Sequence, residues 1–449
     1  MPRRLITAFT VLACAWATAA AAADQAPSGE LVVLPPAEYI ALRQPEAVAA
    51  PLPETAGLTL AAVEELALTV NPTLAEADAR VRAARGQSLQ AGLPPNPTIG
   101  YLATEIGNDG NAGQQGMIVG QEFIRGKKLA LSRAVESREV ARLEQQFEAQ
   151  RQRVLTDVRI AYYHAYLAQQ RVELSKKLLE VGQQSQAAAK SLFDAAEGRR
   201  TDVLQAEIEA SRTSADVAQA ESALRAAWRR LAIAVGQSEL AVQPLAADIQ
   251  TLRWPYSWEE TRDRLLNESP EMSEALMRVE KARFALARAC AEPIPDVTAE
   301  ASVQYDDSTQ DTIAGAQVTL PLPLWNRNQG GIAKARARLL AAQFHLDAVR
   351  LRLEQRLAAQ YQQYETALVR VEALERDILE RAQQGIDVAT QGYTAGELGF
   401  LDFLTVQRTY FQANLEYLTA LGQLNESVQM LAGLLLSGSY QHAELSPAP

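Results

Sequence analysis

Hydrophobic residues recur every seven positions in two separate stretches of the chain, residues 203–231 and 403–431. A second seven-residue row of small or apolar side chains runs beside each of them. A repeat of seven predicts helices packed side by side as in a coiled coil, and small residues allow close approach. One isolated helical hairpin would explain one such row, but not two rows on each of two helices, so the pattern favours a helical tube. The first rows are Val203, Ala210, Val217, Leu224, Leu231 and Phe403, Tyr410, Tyr417, Leu424, Leu431; the second rows are Ala206, Thr213, Ala220, Ala227, Ala234 and Val406, Ala413, Ala420, Ser427, Leu434.

Very long proline-free stretches precede these two helices, at about 127–194 and 331–392. They are rich in strong helix formers, and some 65 helical residues would span roughly 100 Å. Each long helix is predicted to turn back through a short connection into its return helix, near Gly198 in the first case. No ordinary globular core accommodates helices of this length.

Shorter helices are predicted at about 60–90 and 258–291. Thr59 and Ser257 are suitable N-caps, and the helices are expected to break at Asn71-Pro72 and at Ser269-Pro270. Proline clusters then end each helix.

Between the shorter and the long helices the hydrophobic period changes from helical spacing to two. In residues 297–305 and 314–320, apolar and polar side chains alternate around a polar loop, and 98–106 and 117–123 follow the pattern less regularly. Alternation predicts strands with one apolar and one polar face. Strands of about 9–10 residues suit a tilted crossing of a bilayer. A half-buried soluble hairpin would show the same alternation.

The chain repeats this order of elements once. Asn71-Pro72 and Ser269-Pro270 lie 198 residues apart, and Thr201-Asp202-Val203-Leu204 matches Leu401-Asp402-Phe403-Leu404 at a separation of 200. Such self-similarity predicts one structural unit used twice. We therefore expect a first repeat over 58–250 with a β-hairpin at about 96–124, a second repeat over 251–436 with a hairpin at about 296–323, and a C-terminal tail over 437–449.

The N-terminus predicts export. Arg3 and Arg4 precede an apolar run and a small-residue exit, which is typical of a secretory signal peptide over 1–23. A membrane anchor and lipidation at Cys14, within an imperfect lipobox, are the alternatives. Residues 24–57 are rich in proline and alanine and are predicted to form an extended arm.

Membrane insertion would constrain the number of copies. Four strands cannot close a sheet, and open strand edges are not tolerated in lipid. Strands that cross a bilayer must therefore be completed by other copies, and a trimer would supply twelve strands and a twelve-helix tunnel. The expected fold is thus mainly α with a small transmembrane β part: long coiled-coil-like helices and four β-strands per chain, in a trimer that forms a 12-stranded β-barrel on a 12-helix tunnel.

Composition adds several exclusions. The net charge is −11 with both signs interspersed, which provides no nucleic-acid-binding surface. No phosphate-binding loop or nucleophile motif is present, so we expect neither an enzyme nor a cofactor. His164, His345 and His442 have no metal-ligand spacing and Cys290 stands alone, so no metal site is predicted.

In this arrangement of elements, roughly residues 58–436, the sequence resembles the TolC-type outer-membrane factors. The turns Phe193–Gly198 and Tyr393–Gly399, each followed by Asp-x-Leu, support the resemblance, and Gln121–Lys128 is similar to the branch that serves cation-efflux pumps of the resistance–nodulation–division class. The resemblance implies a homotrimer in outer-membrane lipid, with a large periplasmic extension that contacts a periplasmic adaptor and an inner-membrane pump. It implies passive export, with heavy-metal cations as the candidate cargo.

The resemblance also indicates functional residues at the far end of the tunnel. Asp402 matches an acidic position that rings the aperture, while Thr405 stands where a second acid is usual; Asp202 and Gln205 are their equivalents in the first repeat. Alternatively, the two aspartates only stabilise helix N-termini. The turns expected to dock the adaptor carry Glu197, Gly198, Gly396, Glu397 and Gly399, and otherwise they are ordinary exposed connections.

Two other classes of protein share some of these features. A periplasmic adaptor has a long helical hairpin, but it has one hairpin between glycine-rich lipoyl-like halves. A structural coiled-coil envelope protein would not need a strand segment inside each repeat. The channel is therefore the preferred interpretation.

Overall fold

The computed structural model describes residues 57–107, 112–196, 198–247, 249, 252–395 and 397–441. The predicted signal peptide, Cys14, nearly all of the arm and most of the tail, including His442, lie outside these residues. So do Glu197 and Gly396 of the two turns. None of the described helices is long and apolar enough to cross a membrane.

Within the part of the chain that the structure describes, the first repeat contains four helices and the first strand hairpin. The short helices are α1 (Leu60–Val70) and α2 (Pro72–Ala91), and the hairpin is β2 (Thr98–Thr104) with β3 (Gln114–Phe123). The long helix α3 covers Lys128–Asp194 and the return helix α4 covers Arg200–Val235. With 67 residues, α3 is about 100 Å long at 1.5 Å per residue.

The second repeat has the same order of elements. Its short helices are α5 (Trp258–Glu268) and α6 (Pro270–Ala291), and its hairpin is β5 (Val297–Asp306) with β6 (Asp311–Thr319). Its long helical arm consists of α7 (Gln329–Ala373), a π-helical turn (Leu374–Ile378) and α8 (Leu379–Thr394). The return helix α9 covers Phe400–Ala432.

The predicted helix starts and breaks are confirmed at atomic level. The Thr59 side chain accepts a hydrogen bond from the Ala62 N–H, and Ser257 forms a reciprocal capping box with Glu260. Asn71 and Ser269 cap the helices that begin at the following prolines. Proline has no N–H to donate and fits the first helical position, so each Pro step ends one helix and starts the next.

The second long helix departs from the prediction of one continuous α-helix. A π turn holds one extra residue and therefore shifts the phase of the side chains that follow it. Before the turn, Val349, Leu353 and Leu357 are buried, and Leu374 at its start is also buried.

The four long strands form one antiparallel sheet in the order β2-β3-β5-β6. Paired residues share a face, and the rows Ile99–Val119–Ala301–Ala316 and Tyr101–Met117–Val303–Ala314 are apolar across all four strands. The opposite face carries Thr98, Glu300, Gln317 and Gln304, among others. Most of the large apolar side chains on the first face are exposed, which leaves an apolar surface without internal cover.

The main hydrophobic core lies within the helices, where α1, α3, α4, α7 and α9 meet. A short parallel pair that the sequence did not reveal, β1 (Leu58–Thr59) with β4 (Leu245–Ala246), closes this region. The buried Tyr162 hydroxyl lies 2.7 Å from the carbonyl oxygen of Leu58 and 2.6 Å from that of Ala246. One phenol therefore ties both strands to the middle of α3.

Candidate functional site at the helical tip

The two long helical arms end beside each other in a small hydrophobic cluster, here called the tip core. It contains Ala189 from α3, Val203 and Ala206 from α4, and Phe400 and Leu404 from α9. Tyr393 of α8 packs against it, and its ring stacks on Phe403 with centroids 5.0 Å apart and planes 16° apart. Residues of both repeats thus fix the position of the two turns.

The first turn is closed by the backbone of Gly198, whose N–H donates to the Leu192 carbonyl at 2.9 Å. A Cβ at residue 198 would lie 2.9 Å from the Phe193 nitrogen, so the turn as folded has no space for a side chain there. The sequence prediction of a glycine turn therefore has a steric reason. Glu197, the other predicted residue of this turn, is not among the described residues.

The second turn is closed by the Gly392 carbonyl, which accepts from the N–H groups of Glu397 at 2.8 Å and Leu398 at 3.0 Å. Glu397 is exposed and Gly399 immediately precedes α9. The Glu397 side chain is therefore accessible to solvent. Gly396 lies outside the described residues.

The two predicted aperture acids differ in their surroundings. Asp402 lies in the first turn of α9 and is exposed, whereas Asp202 lies in the first turn of α4 and is half-buried. Burial raises the pKa of the Tyr393 phenol, and the nearby Asp202 carboxylate raises it further. Asp202 is thus next to a residue of the second repeat, while Asp402 keeps its carboxylate in solvent.

The residues three positions further along are neutral. The Thr405 hydroxyl donates to the Leu401 carbonyl of its own helix at 2.8 Å. The Gln205 side-chain oxygen is buried and has no hydrogen-bond partner among the described residues. All four predicted aperture residues therefore lie at the same end of the two return helices, and two of them are acids.

An ion pair that sequence reasoning missed joins these helices two turns from the tip. Arg408 of α9 pairs with Glu209 of α4, whose side chain is only 8 % exposed, while the Arg408 side chain is 47 % exposed. The Arg408 Nε lies 3.3 Å from the second carboxylate oxygen, and the pairing raises the pKa of Arg408. Glu209 stands outside both seven-residue rows, so the periodic pattern does not indicate that it is buried.

No group of three or more His, Cys, Asp or Glu side chains within the described residues could hold a metal ion. His164 of α3 lies 3.5 Å from Glu426, and His345 is on a different helix, α7. Cys290 is an exposed free thiol. The described geometry of the tip offers carboxylates, turns and exposed polar surface, which can attract or repel ions.

Comparison with known proteins gives a family match over both repeats. The model of the family described as "Outer membrane efflux protein" matches residues 63–237 and 261–435. The cobalt-zinc-cadmium resistance protein CzcC of Cupriavidus metallidurans is 26% identical over 383 residues, which is 85% of this chain and 91% of CzcC. The nickel-cobalt-cadmium resistance protein NccC of Alcaligenes xylosoxydans xylosoxydans is 25% identical over 297 residues, which is 63% of this chain and 65% of NccC.

Among solved structures, the outer-membrane channel OprN has a similar fold. The TM-score is 0.69 at 20% sequence identity, and the alignment covers 85% of this chain and 90% of that one. At this identity the likeness concerns the fold.

Proposed function

The chain belongs to the outer membrane efflux protein family, and from this membership we propose that three copies close their sheets into one twelve-stranded barrel above a twelve-helix tunnel. It is an outer-membrane efflux channel and not an enzyme, and it works as a trimer with a periplasmic adaptor and an inner-membrane pump of the resistance–nodulation–division class.

The sheet is the observation that supports closure. Among the described residues, β2 and β6 each pair on one side only, so both edges of the sheet are open. One face exposes Ile99, Tyr101, Met117 and Val318, while the other carries Glu300 and glutamines. An apolar face toward lipid and a polar face toward a lumen is the arrangement of transmembrane strands, and lipid does not tolerate open edges.

We further propose divalent heavy-metal cations as the cargo. Two relatives are named as cobalt-zinc-cadmium and nickel-cobalt-cadmium resistance proteins, and CzcC aligns along nearly its whole length. The channel itself would conduct passively, so selection would rest with the pump and adaptor. Deletion of the gene should lower resistance to cobalt, zinc or cadmium, and the intact gene should restore it. Unchanged resistance to all of these metals would contradict the cargo assignment while leaving the channel assignment standing.

At the aperture, three copies of Asp402 would form a negative ring around the axis. Like charges that converge at a constriction attract cations and exclude anions. Thr405 stands where a second acid would otherwise be. The second repeat of each chain therefore contributes one carboxylate, that of Asp402, to the ring. The exposure of Asp402 supports this role, because an exposed carboxylate is accessible to ions.

Planar-bilayer recording of purified trimers tests the ring. Asp402→Asn should weaken block by divalent cations and reduce cation selectivity, with a smaller change for the half-buried Asp202→Asn control. If Asp402→Asn leaves both properties unchanged, the carboxylate only stabilises its helix N-terminus.

The two tip turns are proposed to dock the adaptor. The tip turns connect the long helices to the return helices, at the ends of the long helices opposite the strands. They contain Gly198, Glu397 and Gly399, and by sequence also Glu197 and Gly396. A photo-crosslinker placed at Glu397 should capture the adaptor in cells, whereas one placed at exposed Glu105 beside the sheet should not. Equal capture at both positions, or none at Glu397, would contradict docking at the tip.

Subcellular fractionation tests the function as a whole. The protein should be recovered from the outer membrane as a detergent-resistant oligomer that becomes a monomer on heating. A periplasmic adaptor or a structural coiled-coil protein would not give this result. Recovery as a freely soluble periplasmic monomer would refute the channel.

A further inference from the structure

A cavity of about 540 Å³ lies where the two repeats meet, between α2 and α3 of the first and α6 and α7 of the second. It is here called the repeat-seam cavity. Six guanidinium groups and three carboxylates line it. The whole chain has a net charge of −11, so this local excess of positive charge opposes the overall balance.

The carboxylates neutralise only part of this charge. Glu271 is shared by Arg153, at 3.3 Å, and Arg356. Arg142 pairs with Glu274 at 2.8 Å and also with Glu139, which is outside the lining, at 2.7 Å. Glu76 pairs with Arg80. Two lining guanidiniums, those of Arg278 and Arg352, have no ion pair or hydrogen bond with any described residue.

Other groups in the cavity are also affected by the excess of positive charge. The Nε of Arg356 is buried and has no acceptor among the described residues. Burial lowers the pKa of Arg153, and the neighbouring charge of Arg356 lowers it further. The pKa of His345 is lowered by burial and by the charges of Arg278 and Arg352. Both unpaired arginines therefore lie close enough to the His345 ring to oppose its protonation.

Two helices also begin at this cavity. Thr73 and Glu271, both lining residues, occupy the first turns of α2 and α6. Helix N-termini carry partial positive charge, which adds to that of the arginines. Arg80 and Arg278 occupy corresponding positions of the two repeats. Both repeats therefore contribute positively charged groups to the cavity.

We propose that the repeat-seam cavity binds one small multivalent oxyanion, of the hydrogen phosphate type, in each chain. Guanidinium groups present paired N–H donors that match the oxygens of such an anion, and Arg278 and Arg352 keep theirs available. The anion would neutralise the surplus charge and link α6 and α7 of the second repeat to α3 of the first. This binding is independent of the cargo and of the aperture.

The distance of the cavity from the sheet favours a soluble anion over a lipid headgroup as the ligand. Its lining residues on α3 run from Arg142 to Arg153, which are 14 and 25 residues beyond Lys128 at the start of the helix nearest the sheet. At 1.5 Å per residue the cavity is therefore about 20 to 40 Å along α3 from that end. This distance places it beyond the headgroups of a bilayer that surrounds the strands.

Equilibrium dialysis of the purified full-length trimer against radiolabelled phosphate, at constant ionic strength in sodium chloride, tests the proposal. The wild type should retain one phosphate per chain. Arg278→Gln/Arg352→Gln should weaken binding at least about tenfold, because hydrogen bonds to charged groups are lost. The matched control Arg225→Gln/Arg229→Gln removes two exposed arginines of α4, outside the cavity, and should bind like the wild type.

A gain-of-binding variant tests the same site from the other direction. Glu76→Gln removes one lining carboxylate and its negative charge, so phosphate should bind more tightly than in the wild type. Trimer content and bilayer conductance, measured on the same samples, report separately on the channel.

Several results would overturn the proposal. They are absence of retained phosphate in the wild type, unchanged binding in the Arg278→Gln/Arg352→Gln variant, or an equal loss in the α4 control. Displacement of the label by anionic phospholipid micelles but not by unlabelled phosphate would overturn the assignment to a soluble oxyanion.

Discussion

The sheet and the helical part of the chain differ sharply in how they cover their apolar side chains. Every residue of β6 is exposed, and the apolar rows of the sheet face outward. In the helices, by contrast, Leu353 and Leu357 of α7 and Leu231 of α4 have almost no exposed surface. A single chain thus completes a helical core but leaves the apolar face and both edges of its sheet uncovered, which is the contrast that the proposed closed barrel explains.

The two return helices show a second, smaller contrast. Ala206, Thr213, Ala220, Ala227 and Ala234 of α4 are all buried against neighbours within the chain, which confirms the predicted row of small residues. In α9, Ala413, Ala420 and Ser427 are buried in the same way. However, α9 also contacts α3 of the first repeat and buries many more residues than its small row. Equivalent sequences therefore occupy unequal positions, and α9 is the more central helix.

The largest effect is expected from a charge on the apolar face of the sheet. Ala316→Arg should prevent stable insertion, because residue 316 lies near the middle of β6 on the apolar face and a lipid-facing arginine near the bilayer midplane costs about 2–4 kcal/mol. Gln317→Arg is the matched control, since residue 317 is the adjacent position on the opposite face. Quantitative blotting of heat-modifiable trimer in outer-membrane fractions measures both. Equal loss in the two variants would mean that the faces are not distinguished by lipid.

An intermediate effect is expected at the ion pair between the return helices. Arg408→Leu leaves the Glu209 carboxylate buried without its partner, and we expect a loss of about 2 kcal/mol in stability. Glu209→Gln should cost about 1 kcal/mol or less, because the half-exposed Arg408 can be solvated by water. Thermal unfolding of the purified trimer, followed by circular dichroism, measures the difference.

Arg370→Leu provides the control for this pair, because its partner Glu416 is 42 % exposed and exposed pairs contribute about 0–1 kcal/mol. If Glu209→Gln proves as damaging as Arg408→Leu, the asymmetry in burial does not determine the stability of the tip.

The smallest effect is expected for the stability of the protein at alkaline pH, through Tyr417 of α9. Burial raises the pKa of Tyr417 from 10.0 to about 12, and Glu375, which accepts its hydrogen bond, raises it too. The folded state thus retains the proton more strongly than the unfolded state, so this contribution is complete below pH 10 and is lost as the pH rises toward 12.

Tyr417→Phe should therefore reduce the fall in the unfolding midpoint over this alkaline range. Val217, the α4 equivalent, does not titrate, so Val217→Ala should leave the shape of the pH dependence unchanged. A wild-type curve identical to that of Tyr417→Phe would contradict the contribution of Tyr417.

Much of this architecture could be predicted from the sequence, because its signals are local. The proline steps at Asn71-Pro72 and Ser269-Pro270 break helices through backbone chemistry, and the seven-residue rows determine which helix faces pack. The alternation of strands predicts two faces of different polarity. Each of these signals depends on neighbours within a few residues along the chain.

The features that could not be predicted depend on distant pairs. The β1–β4 pair joins residues nearly 190 positions apart, and the Glu209–Arg408 pair joins helices of different repeats. The repeat-seam cavity assembles arginines from four helices, each of which alone has the charge pattern of a solvated surface. None of these has a local signature.

Disulfide trapping between copies tests the central claim, that three sheets close by pairing β6 with β2 of the next chain. Within the chain, β3 of the first repeat pairs with β5 of the second repeat, and Val119 lies opposite Ala301. Val318 of β6 and Tyr101 of β2 are the equivalents of these two residues in the other repeat. We therefore expect Val318 to lie opposite Tyr101 of the neighbouring chain. Within one chain these residues lie on opposite edges, about three strand spacings or 14 Å apart, which is too far for a disulfide.

In a Cys290→Ser background, oxidised outer membranes carrying Val318→Cys with Tyr101→Cys should yield covalently linked dimers and trimers. The pair Val318→Cys with Leu102→Cys, whose second residue lies on the opposite face, should yield far fewer. If the first pair gives only monomers although the protein is present in the outer membrane, the strands of neighbouring copies do not meet and the closed channel is refuted.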